Sequence, residues 1–344
     1  MPQENSLSEQ AGWVIGAYAA APSRVAWNPA DEARFLDALA DLPGIAGFEI
    51  PFTDKLHKVD EGWLLGHLRP NSTIVITTAP GTSDRLRAWA DFGIASTSDE
   101  GRRAALAHAD DARRAVRRMN DALGRSAVVA VELHAAPANQ NGASSAHALF
   151  ESLEELAGWD WDGAQVALEH CDAAASSHPP AKGYLALDDE IETILRVNRS
   201  AEIPVGVAIN WGRSVIEQRD PDAGKRHVEL VRAAGLLTGL MFSGCAPGQT
   251  RFGGPWADVH APPAPPPGDA SAEFLEPRSL LTPERIADTV TAAGHAGPGQ
   301  FRGIKTAAPP TATVDERIRA VSQAVDLVLA SRSSGTPILT DIRK

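Results

Sequence analysis

The chain has 344 residues, of which 43% are hydrophobic and 22% charged, a composition ordinary for a globular protein with a sizeable core. Its formal net charge of −12 at pH 7 disfavours nucleic acid and anionic membrane surfaces as partners, because a negative surface repels both. No long apolar stretch and no secretory signal are found, and the two cysteines fall outside any C-x-x-C pattern, so we expect a cytoplasmic protein without a membrane span.

Eight short apolar segments recur along the chain, and each ends in a glycine, a proline or a polar cluster, as buried parallel strands do. They cover residues 13–20, 45–52, 72–80, 126–137, 164–172, 204–212, 237–244 and 301–309. Amphipathic segments with an apolar stripe at helical spacing lie between them and predict helices. These segments cover residues 31–42, 98–123, 147–158, 188–199, 225–237, 282–294 and 314–331, with Ser98 and Thr282 as expected N-caps.

This alternation predicts an α/β fold, the (β/α)8 TIM barrel, as a single domain over residues 13–335. Residues 1–12 are expected to form a flexible N-terminus and residues 336–344 a C-terminal tail. A doubly wound open sheet is the alternative, but it usually has fewer strands and a glycine-rich first turn. Neither G-x-G-x-x-G after the first strand nor G-x-x-x-x-G-K-[ST] occurs, so no NAD and no nucleotide cofactor is expected.

The segment 245–281 after the seventh strand is rich in proline and glycine and too long for an ordinary connection in a barrel. We interpret it as a lid-like loop. Its part TRFGGPWADVH (250–260) carries aromatic, charged and imidazole side chains suited to a lid, whereas APPAPPPGD (261–269) is expected to be a solvated polyproline stretch.

Side chains alternate in direction along a strand, so parity separates those that face the barrel axis from those that face the helices. Small residues come early on the axial face of each strand, and one polar residue follows near its C-terminal end. Because TIM barrels place their active sites at that end, the sequence predicts a polar cup there. Its members are Tyr18, Glu49, Glu132, His134, Glu169, Asn210, Ser243 and Lys305, with either Thr77 or Thr78 from the third strand.

In VALEHCD (166–172), parity directs Glu169 and Cys171 to the axis and His170 to the helices, and assigns Asp172 to the following loop. Each polar residue could instead mark a strand end that reaches solvent. Buried glutamates and a buried lysine together argue against this, because buried charge is costly unless it is paired or used. Neighbouring carboxylates raise one another's pKa and can supply a general acid and a general base.

The motifs GFEIPF and VALEHCD on eight βα units resemble the xylose-isomerase-like TIM barrels, which include sugar isomerases, epimerases, inosose dehydratases and endonuclease IV-type enzymes. More narrowly, WVIGAYAAAP, VELHAAP, INWGRS, GLMFSG and PWADVH resemble a family of such barrels known as a domain of unknown function. The broad resemblance implies a divalent metal held by Glu, Asp, His and Glu on strands five to eight. Glu169 matches the first ligand, but Asn210, Ser243 and Lys305 stand at the other three positions.

The resemblance implies a small-molecule carbohydrate substrate, and the residues favour an isomerase, epimerase or lyase that works without the four-ligand metal site. The candidate catalytic residues are Glu169, Lys305, Glu132, His134 and Glu49. The candidate substrate-binding residues are Tyr18, Asn210, Trp211, Arg213, Ser243, Arg251, Trp256, Asp258 and His260, the arginines suiting an anionic substrate group and the tryptophans a sugar face. Surface positions for both arginines and core packing for Trp211 are the alternatives.

Three alternatives stay open at this stage. A glycoside hydrolase could use Glu132 and Glu169, whose adjacent strands lie about 4.8 Å apart, a spacing that suits a retaining enzyme. A non-catalytic sugar-binding barrel would have lost its metal ligands together with its chemistry. A relocated Mn or Zn site could use Glu132, His134 and Glu169. A homodimer through the outer helices is compatible with all of them.

Overall fold

The computed structural model describes residues 12–269 and 272–333. The predicted C-terminal tail, and the predicted flexible N-terminus apart from Gly12, lie outside the described residues. Within the described part, no helix is both long and apolar enough to cross a membrane.

Eight parallel strands close into one barrel in sequence order, and the first strand pairs with the last. The strands are β1 (Trp13–Ile15), β2 (Ile45–Pro51), β3 (Thr73–Thr77), β4 (Val128–Leu133), β5 (Gln165–His170), β6 (Gly206–Asn210), β7 (Leu237–Phe242) and β8 (Phe301–Ile304). Each lies inside one of the eight apolar segments and is shorter than that segment. The predicted (β/α)8 barrel is therefore confirmed.

The seven predicted helices are present, and the described part of the chain contains three further α-helices. The helices are α1 (Pro29–Ala40), α2 (Glu61–His67), α3 (Ala79–Ala88), α4 (Asp99–Leu123), α5 (Ala146–Ala157), α6 (Leu187–Val197), α7 (Trp211–Gln218), α8 (Ala223–Ala233), α9 (Pro283–Ala293) and α10 (Val314–Ser333). Ser98 and Thr282 cap α4 and α9 as predicted, each accepting a hydrogen bond from the third backbone N–H of its helix.

Two of the additional helices begin inside segments that were predicted to be strand. Helix α3 begins at Ala79, directly followed by a proline, which fits the first turn of a helix because its missing N–H needs no partner there. Helix α7 begins immediately after β6, and the side chain of Asn210 accepts a hydrogen bond from the backbone N–H of Arg213. A capping residue at the very end of β6 therefore turns the chain at the barrel mouth.

The barrel interior is apolar at one end and polar at the other, as parity predicts. The apolar layer consists of Val14, Val75, Ala130, Ala167, Ala208, Met241 and Phe301. Phe301 fills the space beside Gly239, where a Cβ atom would lie 2.2 Å from the phenyl ring. The layers above it, toward the C-terminal ends of the strands, hold the charged and amide side chains.

The long loop has neither helix nor strand in its described residues, 245–269 and 272–281. Gly244 and Ala261 form an antiparallel bridge that brings the loop back to the end of β7. Residues 261–264 are buried, so the prediction of a solvated polyproline stretch is wrong at this end and fits only the exposed residues 267–269. Residues 261–264 can be buried because two of them are prolines without a backbone N–H, and the other two amides donate to the carbonyl oxygens of Gly244 and Leu281.

Candidate functional site

Glu169, at the C-terminal end of β5, is fully buried and contacts four other side chains. Its Oε2 lies 2.6 Å from His134 Nε2 and 2.6 Å from a guanidinium nitrogen of Arg213. Its Oε1 accepts a hydrogen bond from Asn210 Nδ2 at 3.2 Å and lies 3.9 Å from Lys305 Nζ. Burial alone would raise the pKa of Glu169, but the neighbouring cations outweigh burial and hold it well below its ordinary value.

Lys305 follows β8 and places a buried ammonium group on the barrel axis. Its Nζ lies 2.7 Å from Oε1 of Glu49 and 5.5 Å from the centre of the Tyr18 ring. Gly16 leaves room for this pair, since a Cβ atom there would lie 2.6 Å from a Glu49 oxygen. Burial lowers the pKa of Lys305, but Glu49, Tyr18 and Glu169 raise it well above its ordinary value, so the side chain is cationic.

Glu132, from β4, is the one barrel-end glutamate that contacts no cation within ion-pair distance among the described residues. Burial raises its pKa well above the ordinary value, and the negative charges of Glu169 and Glu49 raise it further. Burial also raises the pKa of Glu49, although Lys305 opposes this rise. Glu132 is therefore the carboxyl group that holds a proton, beside a carboxylate that pairs with Lys305.

Apart from the contacts that Glu49 makes with Glu132 and with Lys305, several buried polar atoms at this end have no hydrogen-bond partner within the described residues. They are both carboxyl oxygens of Glu49 and of Glu132, the Nζ of Lys305 and one terminal nitrogen of Arg213. The lysine and arginine nitrogens lie at ion-pair distance from carboxylates, but without the directionality of a hydrogen bond. Native proteins leave few buried polar groups without a protein, water or ligand partner, so this cluster marks a polar site inside the barrel end.

The strand register corrects the expected spacing of Glu132 and Glu169. Glu132 pairs with Ala167 across the two strands, so Glu169 lies two residues further toward the barrel mouth. Its direct neighbour on the β4 side is His134. The Cα atoms of the two glutamates are therefore offset by about 6.6 Å along the strands in addition to the strand spacing, so the spacing of adjacent strands is no longer an argument for a retaining glycosidase.

Asp258 of the long loop is buried against two cations at the mouth of the barrel. Its Oδ2 lies 2.6 Å from Lys182 Nζ and 3.2 Å from Arg213 Nε, and its Oδ1 lies 3.5 Å from His260 Nδ1. Lys182 and Arg213 outweigh the effect of burial and hold the pKa of Asp258 well below its ordinary value. The predicted residues Asp258, His260 and Arg213 therefore form one group with Lys182, which the sequence did not single out.

The remaining predicted residues fall into two groups. Ser243 and Thr78 join the cup as positioning residues, since Ser243 donates to Asn210 at 2.7 Å and Thr78 Oγ1 lies 3.3 Å from His134 Nδ1. Of the two threonines considered for β3, Thr77 has the parity of axial Val75, and Thr78 reaches the cup as the residue after the strand. Trp211, Arg251 and Trp256 make their contacts elsewhere.

Trp211 is fully buried in the core of the helical layer and packs against Gly224 of α8, where a Cβ atom would come within 2.3 Å of the indole. Arg251 donates to the carbonyl oxygens of Glu273 and Leu275 within its own loop. The prediction that Trp211 stacks on a sugar is therefore wrong, and the alternative of core packing is confirmed. Arg251 braces the loop and does not contact the cup. Trp256 stacks under the guanidinium of Arg219 at 4.5 Å.

His170 points outward from β5, as predicted, into a buried cluster between the barrel and the helices. Its Nδ1 and Nε2 each lie 2.8 Å from a carboxylate oxygen, of Glu190 and Glu217 respectively. Burial lowers the pKa of His170, but the two carboxylates raise it to about 10. With His227, His170 and Glu217 are the one group of three His, Cys, Asp or Glu ligand atoms that lie within 4.8 Å of one another among the residues described.

The barrel end does not fit the metal site that the resemblance implies. Asn210, Ser243 and Lys305 stand at three of the four ligand positions, and an ammonium group cannot coordinate a metal. The relocated set of Glu132, His134 and Glu169 does not fit a metal either, because its three ligand atoms do not all lie within 4.8 Å of one another. Within the described residues, only the group of His170, Glu217 and His227 meets that condition. Lys305 instead supplies a fixed positive charge beside Glu169.

Three solved structures of similar fold are sugar-processing proteins by their names. The E. coli 3-keto-D-glucoside 4-epimerase matches with a TM-score of 0.52 and 13% identity, covering 91% of this chain and 99% of that one. A D-psicose 3-epimerase matches with a TM-score of 0.51 and 11% identity over 88% and 94% of the two chains. A candidate xylose isomerase of Rhodospirillum rubrum matches with a TM-score of 0.59 and 12% identity, covering 95% of this chain and 100% of that one. At these identities the likeness establishes the (β/α)8 barrel fold alone.

A sequence relative gives a closer comparison. An uncharacterised protein of Salmonella typhimurium is 37% identical over 305 residues, which cover 87% of this chain and 90% of that protein. The model of one family, described as a domain of unknown function (DUF4862), matches residues 14–320. This span contains every residue of the polar cluster at the C-terminal end of the barrel. The chain belongs to the DUF4862 family.

Proposed function

We propose that the protein is an isomerase or epimerase that moves a proton at a carbon beside a carbonyl group of a small sugar or polyol derivative. The sugar epimerases among the structures of similar fold support this proposal. A lyase would share the first step and differ only in the departure of a leaving group. Two buried cysteines without a disulfide fit action in the cytoplasm.

The observation that carries the proposal is a pair of buried carboxyls in opposite protonation states beside a buried ammonium. Burial and two negative neighbours raise the pKa of Glu132, whereas Lys305, 2.7 Å away, opposes the rise at Glu49 and favours its carboxylate form. Environments that drive two neighbouring carboxyls apart define an acid and a base. The two carboxyls hydrogen-bond to each other, so a substrate that enters between them would replace that contact.

In the proposed reaction, Glu49 accepts the proton from the carbon beside the carbonyl group. The electron pair of the C–H bond forms a carbon–carbon double bond, and the carbonyl oxygen takes up the displaced pair as an enediolate. Lys305 stabilises the negative charge on that oxygen, and Glu132 donates a proton to it. Return of the proton from Glu49 to the neighbouring carbon, with the hydroxyl proton of the first carbon passing to Glu132, gives the isomer. In epimerisation the oxygen stays unprotonated beside Lys305, Glu132 instead delivers its proton to the opposite face of the same carbon, and a proton then passes from Glu49 back to Glu132.

Glu169 acts in this scheme as a positioning residue. Its low pKa makes it a weak base near neutral pH, because Arg213, Lys305 and His134 stabilise its negative charge. Its two oxygens hold Arg213 and His134 on one side and Asn210 on the other. Glu169 therefore holds these side chains in place around Lys305.

Replacement of Glu132 by glutamine is expected to reduce turnover about 10²- to 10⁴-fold, because the variant keeps the shape but loses the transferable proton. The measurement is incorporation of deuterium from D2O into aldoses and ketoses, followed by NMR. Activity of the parent protein is expected to fall as pH rises above the raised pKa of Glu132, since the acid form is required.

Glu169→Gln is the matched comparison for stability. The Glu132→Gln variant is expected to unfold at a higher denaturant concentration than the parent near pH 7, because glutamine takes up no proton on folding, whereas Glu132 with its raised pKa does. The Glu169→Gln variant removes a charge that pairs with Arg213 and Lys305, and is expected to unfold much earlier. Full deuterium exchange by Glu132→Gln, or exchange by no sugar with the parent, would contradict the proposed reaction.

A further inference from the structure

Asp258 brings a loop carboxylate to the place where a substrate would enter the barrel. Its Oδ2 contacts both Lys182 Nζ, at 2.6 Å, and Arg213 Nε, at 3.2 Å. Lys182 comes from the loop between β5 and α6, and Arg213 from the first turn of α7. Two cations from adjacent βα connections therefore converge on one oxygen of one carboxylate, a convergence suited to binding a single acidic group.

Arg213 connects this group to the proposed reaction centre. The same guanidinium that contacts Asp258 through Nε contacts Glu169 through another nitrogen at 2.6 Å. Glu169 in turn lies 3.9 Å from Lys305 Nζ. An acidic group held by Lys182 and Arg213 would thus position the rest of a small molecule within reach of Lys305.

Asp258 supplies one of the negative charges beside the cations of the closed site. The side chains in ion-pair contact are the cations Lys182, Arg213 and Lys305 and the carboxylates Glu49, Glu169 and Asp258, and Asp172 is a further buried acid beside Lys182. Glu132 is neutral, and burial lowers the pKa of His260 to about 3, so the imidazole is neutral as well. Withdrawal of Asp258 removes one negative charge from beside Lys182 and Arg213, which a monoanion replaces and a dianion exceeds.

The segment that carries Asp258 is held in an uncommon backbone conformation. Trp256 and His260, on either side of it, have φ angles of 56° and 53°, in the left-handed region that non-glycine residues seldom adopt. The segment is tied down by hydrogen bonds from Trp256 N to Ala246 O and from Ala307 N to His260 O. Since Glu49, Glu169 and Lys305 are fully buried beneath the closed mouth, a substrate can reach them only if a covering segment moves.

We propose that Lys182 and Arg213 form the binding site for the carboxylate of a sugar acid, and that Asp258 occupies this site when the long loop is closed over the barrel. The inference rests on the proposed function and names its substrate class, a monoanionic sugar such as a hexuronate. Entry of the substrate exchanges one carboxylate for another, so that the total charge of the site stays constant.

The test is calorimetric titration of the full-length protein with D-glucuronate, D-galacturonate, D-glucose, D-galactose and D-glucose 6-phosphate. A hexuronate is expected to bind at least 10-fold more tightly than the neutral hexose of the same configuration. Lys182→Met is expected to weaken hexuronate binding at least 30-fold. Lys225→Met, which removes an exposed lysine paired with Glu229, is expected to leave it unchanged.

The Asp258→Asn variant shows whether Asp258 competes with the substrate or only forms a structural ion pair. If Asp258 competes with the substrate, the variant binds hexuronate about 10-fold more tightly, although it unfolds more easily. Unchanged or weaker hexuronate binding by this variant, equal binding of neutral hexoses, or preference for the phosphate ester would overturn the inference. Binding is measured without turnover, so hexuronate binding without deuterium exchange refutes only the proposed reaction. Exchange with neutral sugars that survives Lys182→Met refutes only the carboxylate site.

Discussion

Replacement of Lys305 by methionine is expected to reduce turnover at least about 10²- to 10³-fold. It is also expected to lower the free energy of unfolding by about 3–5 kcal/mol. Lys305 lies 2.7 Å from Glu49 and 3.9 Å from Glu169, all three fully buried. Methionine retains the volume and removes the charge, so two carboxylates lose their cation in a dry environment. Turnover is measured by deuterium exchange, and stability by denaturant unfolding near pH 7.

The double variant Lys305→Met with Glu49→Gln distinguishes the two effects. It removes one of the carboxylates left without a partner, so part of the lost stability is expected to return. Turnover is not expected to return, because neither the ammonium nor the proposed base is present. A single variant Lys305→Met that keeps turnover within 10-fold of the parent would assign the lysine a structural role. Lys225→Met serves as the control for loss of a lysine charge in general.

The barrel and the composition of its polar cup could be predicted because both depend on local patterns. Strand parity places Glu49, Glu132, Glu169 and Lys305 on the axis, and the fixed geometry of a parallel barrel brings the ends of distant strands together. Pattern alone does not give the depth of each residue. The two-residue offset between Glu132 and Glu169 arises from the stagger between strands, which requires the register.

Contacts that depend on loops could not be predicted. Lys182 lies in a connection with prolines and a glycine, where no periodicity indicates the direction of a side chain, yet it pairs with Asp258 across 76 positions of the sequence. Trp211 follows a polar strand end, and the sequence leaves sugar stacking and core packing open for it; a helix begins there and turns the indole into the core. The end of a strand is where a small change in backbone direction has the largest effect on side-chain placement.

The free energy of unfolding is expected to fall between pH 6.5 and pH 8.5 through His170, by about 1.4 kcal/mol for each pH unit. Glu190 and Glu217 raise the pKa of this buried imidazole to about 10, whereas in the unfolded chain it is about 6.5. Because the folded pKa lies above the unfolded one, the stabilisation is complete below about pH 6.5 and is lost as pH rises toward about 10. Denaturant unfolding at intervals of half a pH unit measures this slope.

The difference between the parent and His170→Gln isolates this contribution from that of Glu132, whose raised pKa also lowers stability as pH rises. The variant is expected to be less stable at pH 6.5, because two carboxylates lose the imidazolium between them, and to show a slope smaller by about 1.4 kcal/mol for each pH unit. His227, whose pKa burial lowers to about 4, contributes only below about pH 6.5, where the unfolded chain would bind a proton. Equal slopes for the parent and the variant would show that His170 is neutral and that hydrogen bonds alone hold the outer cluster together.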